Sequence, residues 1–316
     1  MDKMKLGVVM DPIESINFKK DSTLSMMLEA QKRGHELFYM KPESLFIDSG
    51  ISYAETSCVK VKNDPQDWYS LEKERIIKLS ELNVILMRQD PPFNSAYIYN
   101  TYVLEMAVRE GVYVSNNPQS LRDCNEKVYA TEFPQCCTKH LVSSNQTQLK
   151  KFVSEYKDTV VKPLDGMGGT SIFRLKLQDP NLNVIMETIT NNYKQKVMIQ
   201  EYIPEISEGD KRILIVKGKP MAAAIARIPA QGELRGNLAA GGTAVAKTLS
   251  ERDQWICDQV APSLVEKGLD LVGLDVIGDY LTEINVTSPT CFREYQELCG
   301  IDVAEIFIKH IEETIS

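Results

Sequence analysis

Short apolar runs alternate with helical periodicity over the first third of the chain. The apolar runs are residues 6–10, 37–40, 84–87 and 112–115. Each is short and almost uninterrupted, which is typical of a strand buried on both faces. Residues 24–33 and 97–110 have apolar side chains at helical spacing and are followed by Gly34 and Gly111, which favour helix ends. This β-α alternation predicts an open parallel sheet, and we expect residues 1–122 to form a first domain.

The middle of the chain mixes both periodicities. After the break at Asn117-Pro118, residues 119–133 are expected to form a helix that carries Lys127. Residues 145–156 predict an amphipathic helix, and residues 197–200 predict a strand. Residues 160–174 consist of two apolar, β-branched runs around a glycine-rich loop, which indicates strand, loop and strand. We therefore expect a small α+β lid over residues 123–200.

The last third of the chain predicts mainly antiparallel structure. Turns at Gly218 and at Gly278-Asp279 separate two pairs of apolar runs, and Ser250 can cap a helix that runs to Gly268. The predicted strands are residues 212–216, 221–228, 271–277 and 280–286. A final helix would carry its apolar stripe on Val303, Ile306, Phe307, His310 and Ile311. We expect residues 201–316 to form a C-terminal, mainly antiparallel α+β domain.

Composition narrows the class of protein. The 316 residues include 43% hydrophobic and 25% charged side chains, which suits a globular chain of two or three domains. A formal charge of -8 argues against a protein that binds nucleic acid by neutralising phosphates. Seven cysteines without C-x-x-C spacing and only three histidines indicate neither a disulfide framework nor a zinc site. We expect a cytoplasmic protein without a signal peptide or membrane span.

The glycine-rich loop is the first candidate for chemistry. Lys162 ends the strand before it, and the loop contains Gly166, Gly168 and Gly169. Glycines let backbone N–H groups approach phosphate oxygens closely, and a lysine can add a cationic contact, so the segment suggests a nucleotide clamp. The alternative is a flexible hairpin with a solvent-facing lysine. The P-loop pattern fails because Gly218-Lys219 is followed by Pro220, and the dinucleotide pattern fails because its third glycine would fall on Ser171.

The last predicted hairpin has three oxygen-bearing side chains. Asp275 lies on one strand, while Glu283 and Asn285 lie two residues apart on the other and share a face. Carboxylate and amide oxygens are ligands that Mg²⁺ prefers, so these residues predict an ion site that faces the nucleotide clamp. The alternative is a polar outer face of the hairpin. Asp275 lies within an apolar run, where an unpaired carboxylate is costly, and this favours the metal site.

Strand ends and turns supply the candidate substrate contacts. Asp11 and the segment 88–93 would emerge at the carboxyl ends of parallel strands, where ligands bind in open sheets. Ordinary turn chemistry at Asp-Pro pairs is the alternative for both. The turn at residues 286–293 is rich in hydroxyl groups and its backbone can hold a carboxylate. Cys291 within it has no histidine nearby in the sequence, so we expect a residue of the pocket wall and not a nucleophile.

Several segments together resemble a known family, the ATP-grasp ligases, and within them the bacterial glutathione synthetases. They are VMDPI from Val9, PQSLRDCNEK from Pro118, KPLDGMGG from Lys162, RGNLAAGG from Arg235, VGLD from Val272 and LTEINVTSPTC from Leu281. The resemblance spans essentially the whole chain. It implies an ATP-grasp fold and the ATP-dependent joining of γ-glutamylcysteine to glycine. Gln89 and Asn117 depart from the family's pattern.

The resemblance also implies roles for individual residues. Lys127 and Lys162 would hold phosphates under a loop of Gly166, Met167, Gly168 and Gly169, and Asp210 would join the nucleotide site. The hinge of Gln200, Glu201, Tyr202 and Ile203 would frame the adenine. Asp275, Glu283 and Asn285 would bind Mg²⁺, with Mn²⁺ as a substitute. Arg212, Arg227 and Arg235 would be catalytic. The substrate contacts would be Asp11, Arg88, Asp90, Ser288, Pro289 and Thr290. A homotetramer is implied as well.

Two rival functions and one mobile segment complete the expectations. Another carboxylate-amine ligase, specific for D-alanine or for the glutamate tail of a peptide, would share the ATP machinery. A non-catalytic ATP sensor would need the adenine slot, but it would not need all three oxygen ligands of the metal. The long loop at residues 228–243 has four glycines and no apolar periodicity, and we predict that it is a lid over the bound anions.

Overall fold

Residues 3–233, 235–236, 238 and 241–316 are described by a computed structural model of the chain, and three separate sheets organise them. The α-helices of this part are α1 (Ser22–Lys32), α2 (Ser95–Arg109), α3 (Pro118–Asp123), α4 (Gln146–Tyr156), α5 (Leu182–Ile189), α6 (Glu251–Glu266), α7 (Phe292–Cys299) and α8 (Val303–Ile315). No helix within it combines the length and the apolar character needed to cross a membrane. The domain boundaries after residues 122 and 200 stay a prediction.

The first sheet confirms the predicted parallel core and adds an antiparallel extension. Its strands are β1 (Lys5–Val9), β2 (Glu36–Met40), β3 (Leu45–Asp48), β4 (Ile51–Val61), β5 (Tyr69–Leu71), β6 (Arg75–Lys78), β7 (Val84–Met87) and β8 (Tyr113–Ser115). β2, β1, β7 and β8 are parallel neighbours, and they are the four strands predicted from apolar runs. β3 to β6 pair antiparallel around β4 and were not predicted, because polar and charged residues limit their apolar runs to three residues at most.

The second sheet is small and antiparallel and contains the glycine-rich hairpin. Its order is β11-β10-β12-β9, and the strands are β9 (His140–Ser143), β10 (Asp158–Pro163), β11 (Phe173–Lys176) and β12 (Val197–Glu201). β10 and β11 confirm strand, glycine loop and strand, with Val161 opposite Phe173. Helix α4 confirms the predicted amphipathic helix, and Asn145 caps it by accepting from Gln148 N. Lys162 at the end of β10 is thereby directed toward the third sheet.

The third sheet is also antiparallel and forms the floor of the candidate site. Its strands are β13 (Asp210–Val216), β14 (Lys219–Pro220), β15 (Ala223–Ile228), β16 (Thr243–Thr248), β17 (Leu271–Ile277) and β18 (Tyr280–Asn285). Both predicted hairpins are confirmed, and the central ladder pairs β13 with β17. β16 was not predicted, because this largely exposed edge strand has no apolar alternation. Ser250 caps α6 as expected, with Asp253 completing a capping box.

Two predictions about helices are wrong. The helix over residues 119–133 ends at Asp123, and Lys127 lies in a non-helical turn. The side chain of Asn125 accepts hydrogen bonds from Lys127 N and Val128 N, so it replaces the helical backbone bonds there. In α8, Ile306 is 39% exposed and does not belong to the buried stripe. Phe292 and Arg293, predicted as the end of the turn at residues 286–293, instead begin helix α7.

Candidate functional site

One cavity of about 680 Å³ collects residues from all three sheets. With one exception, every residue predicted to belong to a site lines it. These residues are Asp11, Arg88, Asp90, Lys127, Lys162, Gly166, Met167, Gly168, Gly169, Gln200, Tyr202, Ile203, Asp210, Arg212, Arg227, Arg235, Asp275, Glu283, Asn285, Ser288, Pro289 and Thr290. The exception is Glu201, whose carboxylate accepts a hydrogen bond from Thr138 Oγ1 at 2.9 Å. Its place in the adenine hinge stays a prediction.

Two lysines meet one carboxylate beneath the glycine loop. Lys162 Nζ lies 3.3 Å from Glu283 Oε1 and donates to Thr282 O at 3.1 Å. Lys127 Nζ lies 3.8 Å from the same Glu283 oxygen and donates to Gly166 O at 2.8 Å. Burial raises the pKa of Glu283, but the two ammonium groups lower it by more, so it is held below its usual range. Lys162 is therefore not solvent-facing, which removes the main support for the alternative of a flexible hairpin with a solvent-facing lysine.

A buried cluster of arginines and aspartates lies beside these lysines. Arg212 faces Asp275 across the β13-β17 ladder, with Nε 2.6 Å from Oδ1. Arg227 NH2 lies 2.8 Å from Asp275 Oδ2 and 2.5 Å from Asp210 Oδ2. Gly273 makes room for this arrangement, because a Cβ there would lie 2.9 Å from Arg212 Cδ. The cluster places two fixed cations at the centre of the cavity.

The two aspartates of the cluster have opposite pKa shifts. Burial raises the pKa of Asp275, but Arg212 and Arg227 lower it by more, and the carboxyl is held well below its usual range. Burial dominates at Asp210 and raises its pKa to about 7. Asp210 Oδ1 is buried and has no hydrogen-bond partner among the described residues. This oxygen is available to a donor from a ligand.

The chemistry of the three predicted metal ligands fits a hard divalent cation. Asp275 and Glu283 are paired residues of the β17-β18 ladder, and Asn285 follows on the same strand opposite Gly273. Asn285 Nδ2 donates to Gly273 O at 3.1 Å, which leaves its amide oxygen as the acceptor for a ligand. No group of three His, Cys, Asp or Glu side chains suited to a metal occurs among the described residues. Two carboxylates and one amide oxygen suit an ion that takes its other ligands from phosphates.

The other end of the cavity is built from strand ends of the first sheet. Arg88, which is 4% exposed, donates from Nε to Thr23 Oγ1 at 3.1 Å and from NH2 to Pro289 O at 3.0 Å. Asp11 and Asp90 are joined by a 2.8 Å bond from Asp90 N to Asp11 Oδ2. Burial lowers the pKa of Arg88 and raises that of Asp90. These residues make the turn contacts of the alternative interpretation and also line the cavity, and substrate binding by them stays a prediction.

Several cavity residues were missed in the sequence. Arg174 lies 3.5 Å from the ring centroid of Tyr202 and stacks on it, and it pairs with Asp158. Glu126 directly precedes Lys127 and accepts from Thr287 N at 3.1 Å. Arg174 follows the glycine loop on β11, opposite Val160, so strand register would have identified it. Nothing in the sequence alone distinguishes Glu126 from its polar neighbours.

Cys291 and Arg235 line the cavity in different ways. Cys291 is buried, and burial raises the pKa of its thiol, as expected for a wall residue and not a nucleophile. The three histidines bond elsewhere: His35 to Glu312, His140 to Thr138 O and His310 to Asp270. Arg235 is half-buried at the cavity rim and pairs with Glu233 at 3.0 Å. The predicted lid at residues 228–243 includes Leu234, Asn237, Ala239 and Ala240, which lie outside the described residues.

Comparison with known proteins identifies the family. Residues 4–122 match the N-terminal domain of prokaryotic glutathione synthetase, and residues 126–300 match its ATP-grasp domain. The chain is 54% identical over 312 residues to the glutathione synthetase of Vibrio parahaemolyticus, with 99% of each chain covered. It is 57% identical over 294 residues to that of Pseudomonas aeruginosa, with 93% of each covered.

Solved structures agree on the fold. The D-cycloserine synthetase DcsG superposes with a TM-score of 0.69 at 14% identity, covering 99% of this chain and 100% of that one. The ATP-grasp ligase PsnB in complex with a minimal precursor, Mg and ADP superposes with a TM-score of 0.62 at 14% identity, covering 98% of each. The chain therefore belongs to the prokaryotic glutathione synthetase family and has the ATP-grasp fold.

Proposed function

We propose that the cavity carries out the family's reaction, the ATP-dependent joining of γ-glutamylcysteine to glycine, which yields glutathione, ADP and phosphate. The observation that carries the proposal is the convergence of four cations, Lys127, Lys162, Arg212 and Arg227, on the buried Asp275 and the half-buried Glu283 in one cavity. Phosphoryl transfer needs in-line positioning and neutralisation of phosphate charge, and such a cluster suits both needs.

The end of the cavity near the glycine loop would hold the nucleotide. Lys127 and Lys162 would contact phosphates, with the loop of residues 166–169 above them. The hinge at Gln200 to Ile203 would frame the adenine, and Arg174 stacked on Tyr202 keeps that wall rigid. Glu201 would contribute through its backbone only, because its carboxylate is turned toward Thr138. Asp210, with its free Oδ1, would accept a hydrogen bond from the nucleotide.

Asp275, Glu283 and Asn285 would hold Mg²⁺, or Mn²⁺ in its place. A divalent ion at this position would supply positive charge for the phosphates, which is the usual role of Mg²⁺ beside a nucleotide. Two of these three ligands are paired with cations, Asp275 with arginines and Glu283 with lysines. Those four cations would be freed to contact the phosphates when the carboxylates turn to the ion.

The reaction would proceed through an acyl phosphate. A carboxylate oxygen of the cysteinyl residue attacks the γ-phosphorus, and the bond to the ADP oxygen breaks. The amine of glycine then attacks the acyl carbon, phosphate leaves, and the amine loses a proton. Arg212 and Arg227 would stabilise the anionic groups in both steps, and Arg235 would approach them from the rim. No nucleophile from the protein is required.

Arg88, Asp11, Asp90 and the turn Ser288-Pro289-Thr290 would bind the amino-acid substrates. Arg88 is a buried cation, and burial lowers its pKa. An anionic substrate group would replace part of the hydration that Arg88 loses on burial. We also propose a homotetramer in the cytoplasm, in keeping with the resemblance of the sequence and with seven cysteines in the free thiol form. Light scattering coupled to size-exclusion chromatography measures the assembly directly.

The decisive assay measures ADP and glutathione while each substrate is omitted in turn. We expect ADP formation to require γ-glutamylcysteine and Mg²⁺, and glutathione to equal ADP when glycine is present. Equal turnover with D-alanine alone would favour another carboxylate-amine ligase. ATP binding without turnover on any amino acid would favour a sensor. Either result would contradict the proposal.

A further inference from the structure

Three consecutive residues connect separate parts of the cavity wall. Asn125 Nδ2 donates to Leu164 O at 2.9 Å, and Lys127 Nζ donates to Gly166 O at 2.8 Å, so both residues hold the glycine loop. Glu126 lies between them and is directed the opposite way, toward the end of β18. The turn that replaces the expected helix thus spans from the glycine loop to the substrate end.

Glu126 makes a dense set of bonds with residues 284–287. Its Oε1 accepts from Val286 N at 3.0 Å, from Thr287 N at 3.1 Å and from Thr287 Oγ1 at 2.7 Å. Its backbone carbonyl accepts from Ile284 N at 2.9 Å. Val286 and Thr287 lie beyond Asn285, the last paired residue of β18. One carboxylate oxygen therefore continues the bonding of the strand past its end through three hydrogen bonds.

The segment that Glu126 holds is the turn that faces the substrates. On its other side the turn is fixed by Arg88, which donates to Pro289 O at 3.0 Å and accepts at its carbonyl from Ser288 Oγ at 3.4 Å. Two independent braces on a four-residue turn leave it little freedom. The brace from Glu126 is the one that is continuous in sequence with Lys127.

We infer that Glu126 is a positioning residue: it fixes the turn Thr287 to Thr290 relative to Lys127, and so sets where the substrate carboxylate meets the transferred phosphate. The inference rests on the proposed function. Glu126 acts through the turn, because all the side-chain hydrogen bonds that it makes among the described residues go to Val286 and Thr287. A displacement of the substrate carboxylate by about 1 Å is enough to lower the rate of a reaction that depends on orientation.

The test compares four variants in steady-state kinetics, with melting temperatures to report folding. Glu126→Ala removes the brace, and Glu126→Gln keeps an oxygen that can accept the same three bonds. Thr287→Val removes only the 2.7 Å hydroxyl bond, and Glu132→Ala changes an exposed glutamate six residues away as a control. Each protein is assayed for the KM of ATP, of γ-glutamylcysteine and of glycine, and for kcat per folded molecule.

We expect Glu126→Ala to raise the KM for γ-glutamylcysteine about tenfold while the KM for ATP stays within about twofold. Glu126→Gln is expected to recover the KM to within about threefold of the wild type, and Thr287→Val to raise it about threefold. The rise in KM of the double variant Glu126→Ala/Thr287→Val is expected to be smaller than the product of the two single rises, because both changes remove the same hydroxyl bond. Glu132→Ala is expected to leave all constants unchanged.

A lower folded fraction with unchanged KM values and unchanged kcat per folded molecule would reduce Glu126 to a structural residue and overturn the inference. If Glu126→Ala does not fold, Thr287→Val decides, and an unchanged KM for γ-glutamylcysteine in that variant overturns the inference as well. A wild-type protein that makes no glutathione contradicts the proposed function itself. A wild type that makes glutathione, with variants of unchanged KM, contradicts only the role of Glu126.

Discussion

The two ends of the cavity hold their charges in different ways. At the nucleotide end, each carboxylate is already paired: Asp275 with Arg212 and Arg227, and Glu283 with Lys162. At the substrate end, Arg88 donates to the neutral acceptors Thr23 Oγ1 and Pro289 O and to no carboxylate within the described part of the chain. Asp21 and Asp90 attract Arg88 electrostatically, but neither forms a salt bridge with it among the described residues. One end therefore has its charges paired directly, and the other has a buried cation without a direct ion pair.

This difference predicts where each end acts in the kinetics. A buried cation without a direct ion pair is costly, and an anionic substrate recovers part of that cost on binding, so changes at the substrate end should affect KM. The paired cations at the nucleotide end are already in place before ATP arrives. Changes there remove charge stabilisation from the transition state and should affect kcat.

The largest effect is expected for Glu283→Gln at the nucleotide end. The change removes a metal ligand and the counter-charge of Lys127 and Lys162, and we expect kcat to fall about 100-fold or more. Circular dichroism and thermal melting should show a folded protein. If residual activity instead follows the folded fraction, Glu283 is structural and the proposed ion site is wrong.

Arg88→Met tests the substrate end. Loss of the buried cation should raise the KM for γ-glutamylcysteine by about 10- to 100-fold and leave the KM for ATP nearly unchanged. Arg88→Lys keeps the charge without the two-pronged geometry and should give an intermediate value. An equal rise in both KM values would show that the two ends are not separate.

Asp210→Asn tests the pH dependence of stability. Burial raises the pKa of Asp210 to about 7 in the folded protein, so the folded state binds more protons than the unfolded state between pH 4 and 7. The free energy of unfolding should therefore fall as pH rises through this window, by on the order of 1 to 3 kcal/mol. Asp275 has a lowered pKa, and its stabilisation is lost only in acid below about pH 4.

Urea unfolding of the metal-free protein at several pH values checks the sign. Asp210→Asn should flatten the fall in stability between pH 4 and 7 relative to the wild type, because the contribution of Asp210 is lost. A variant whose stability follows the same pH curve as the wild type would contradict the raised pKa of Asp210.

The smallest effect is expected for Arg174→Met. The guanidinium stacks on Tyr202 at 3.5 Å, and a contact of this kind is worth about 0.5 to 1 kcal/mol near a surface. The KM for ATP should rise about threefold, and the KM for γ-glutamylcysteine should not change. A rise in the KM for γ-glutamylcysteine alone would show that the Arg174–Tyr202 stack belongs to the substrate end of the cavity, which would contradict its assignment to the nucleotide end.

The sequence predicts the nucleotide end better than it predicts its supports. Lys162, Asp275 and Glu283 are recognisable because each breaks or ends an apolar strand, and burial of a charge at such a place is costly unless it is paired. Their partners are harder to foresee. Arg212 meets Asp275 only through the β13-β17 register, which joins residues 63 positions apart in the chain.

Local patterns fail where a side chain or an edge decides the structure. The helix expected around Lys127 is absent because Asn125 bonds to two backbone N–H groups in its place. β16 was not predicted because nearly all of its residues are exposed, so its sequence has no alternation of apolar and polar residues. The role of Glu126 could not be predicted from the sequence, because the three donors to its carboxylate lie some 160 residues farther along the chain.

The transfer of oxygen from substrate to phosphate tests the central claim most directly, namely that the nucleotide end activates a carboxylate held by the substrate end. γ-Glutamylcysteine labelled with ¹⁸O in both oxygens of its cysteinyl carboxylate is converted with ATP and glycine, and the released phosphate is analysed by mass spectrometry. An acyl phosphate intermediate predicts one ¹⁸O atom in each phosphate and one in each glutathione. Glutathione formed together with unlabelled phosphate would contradict the account.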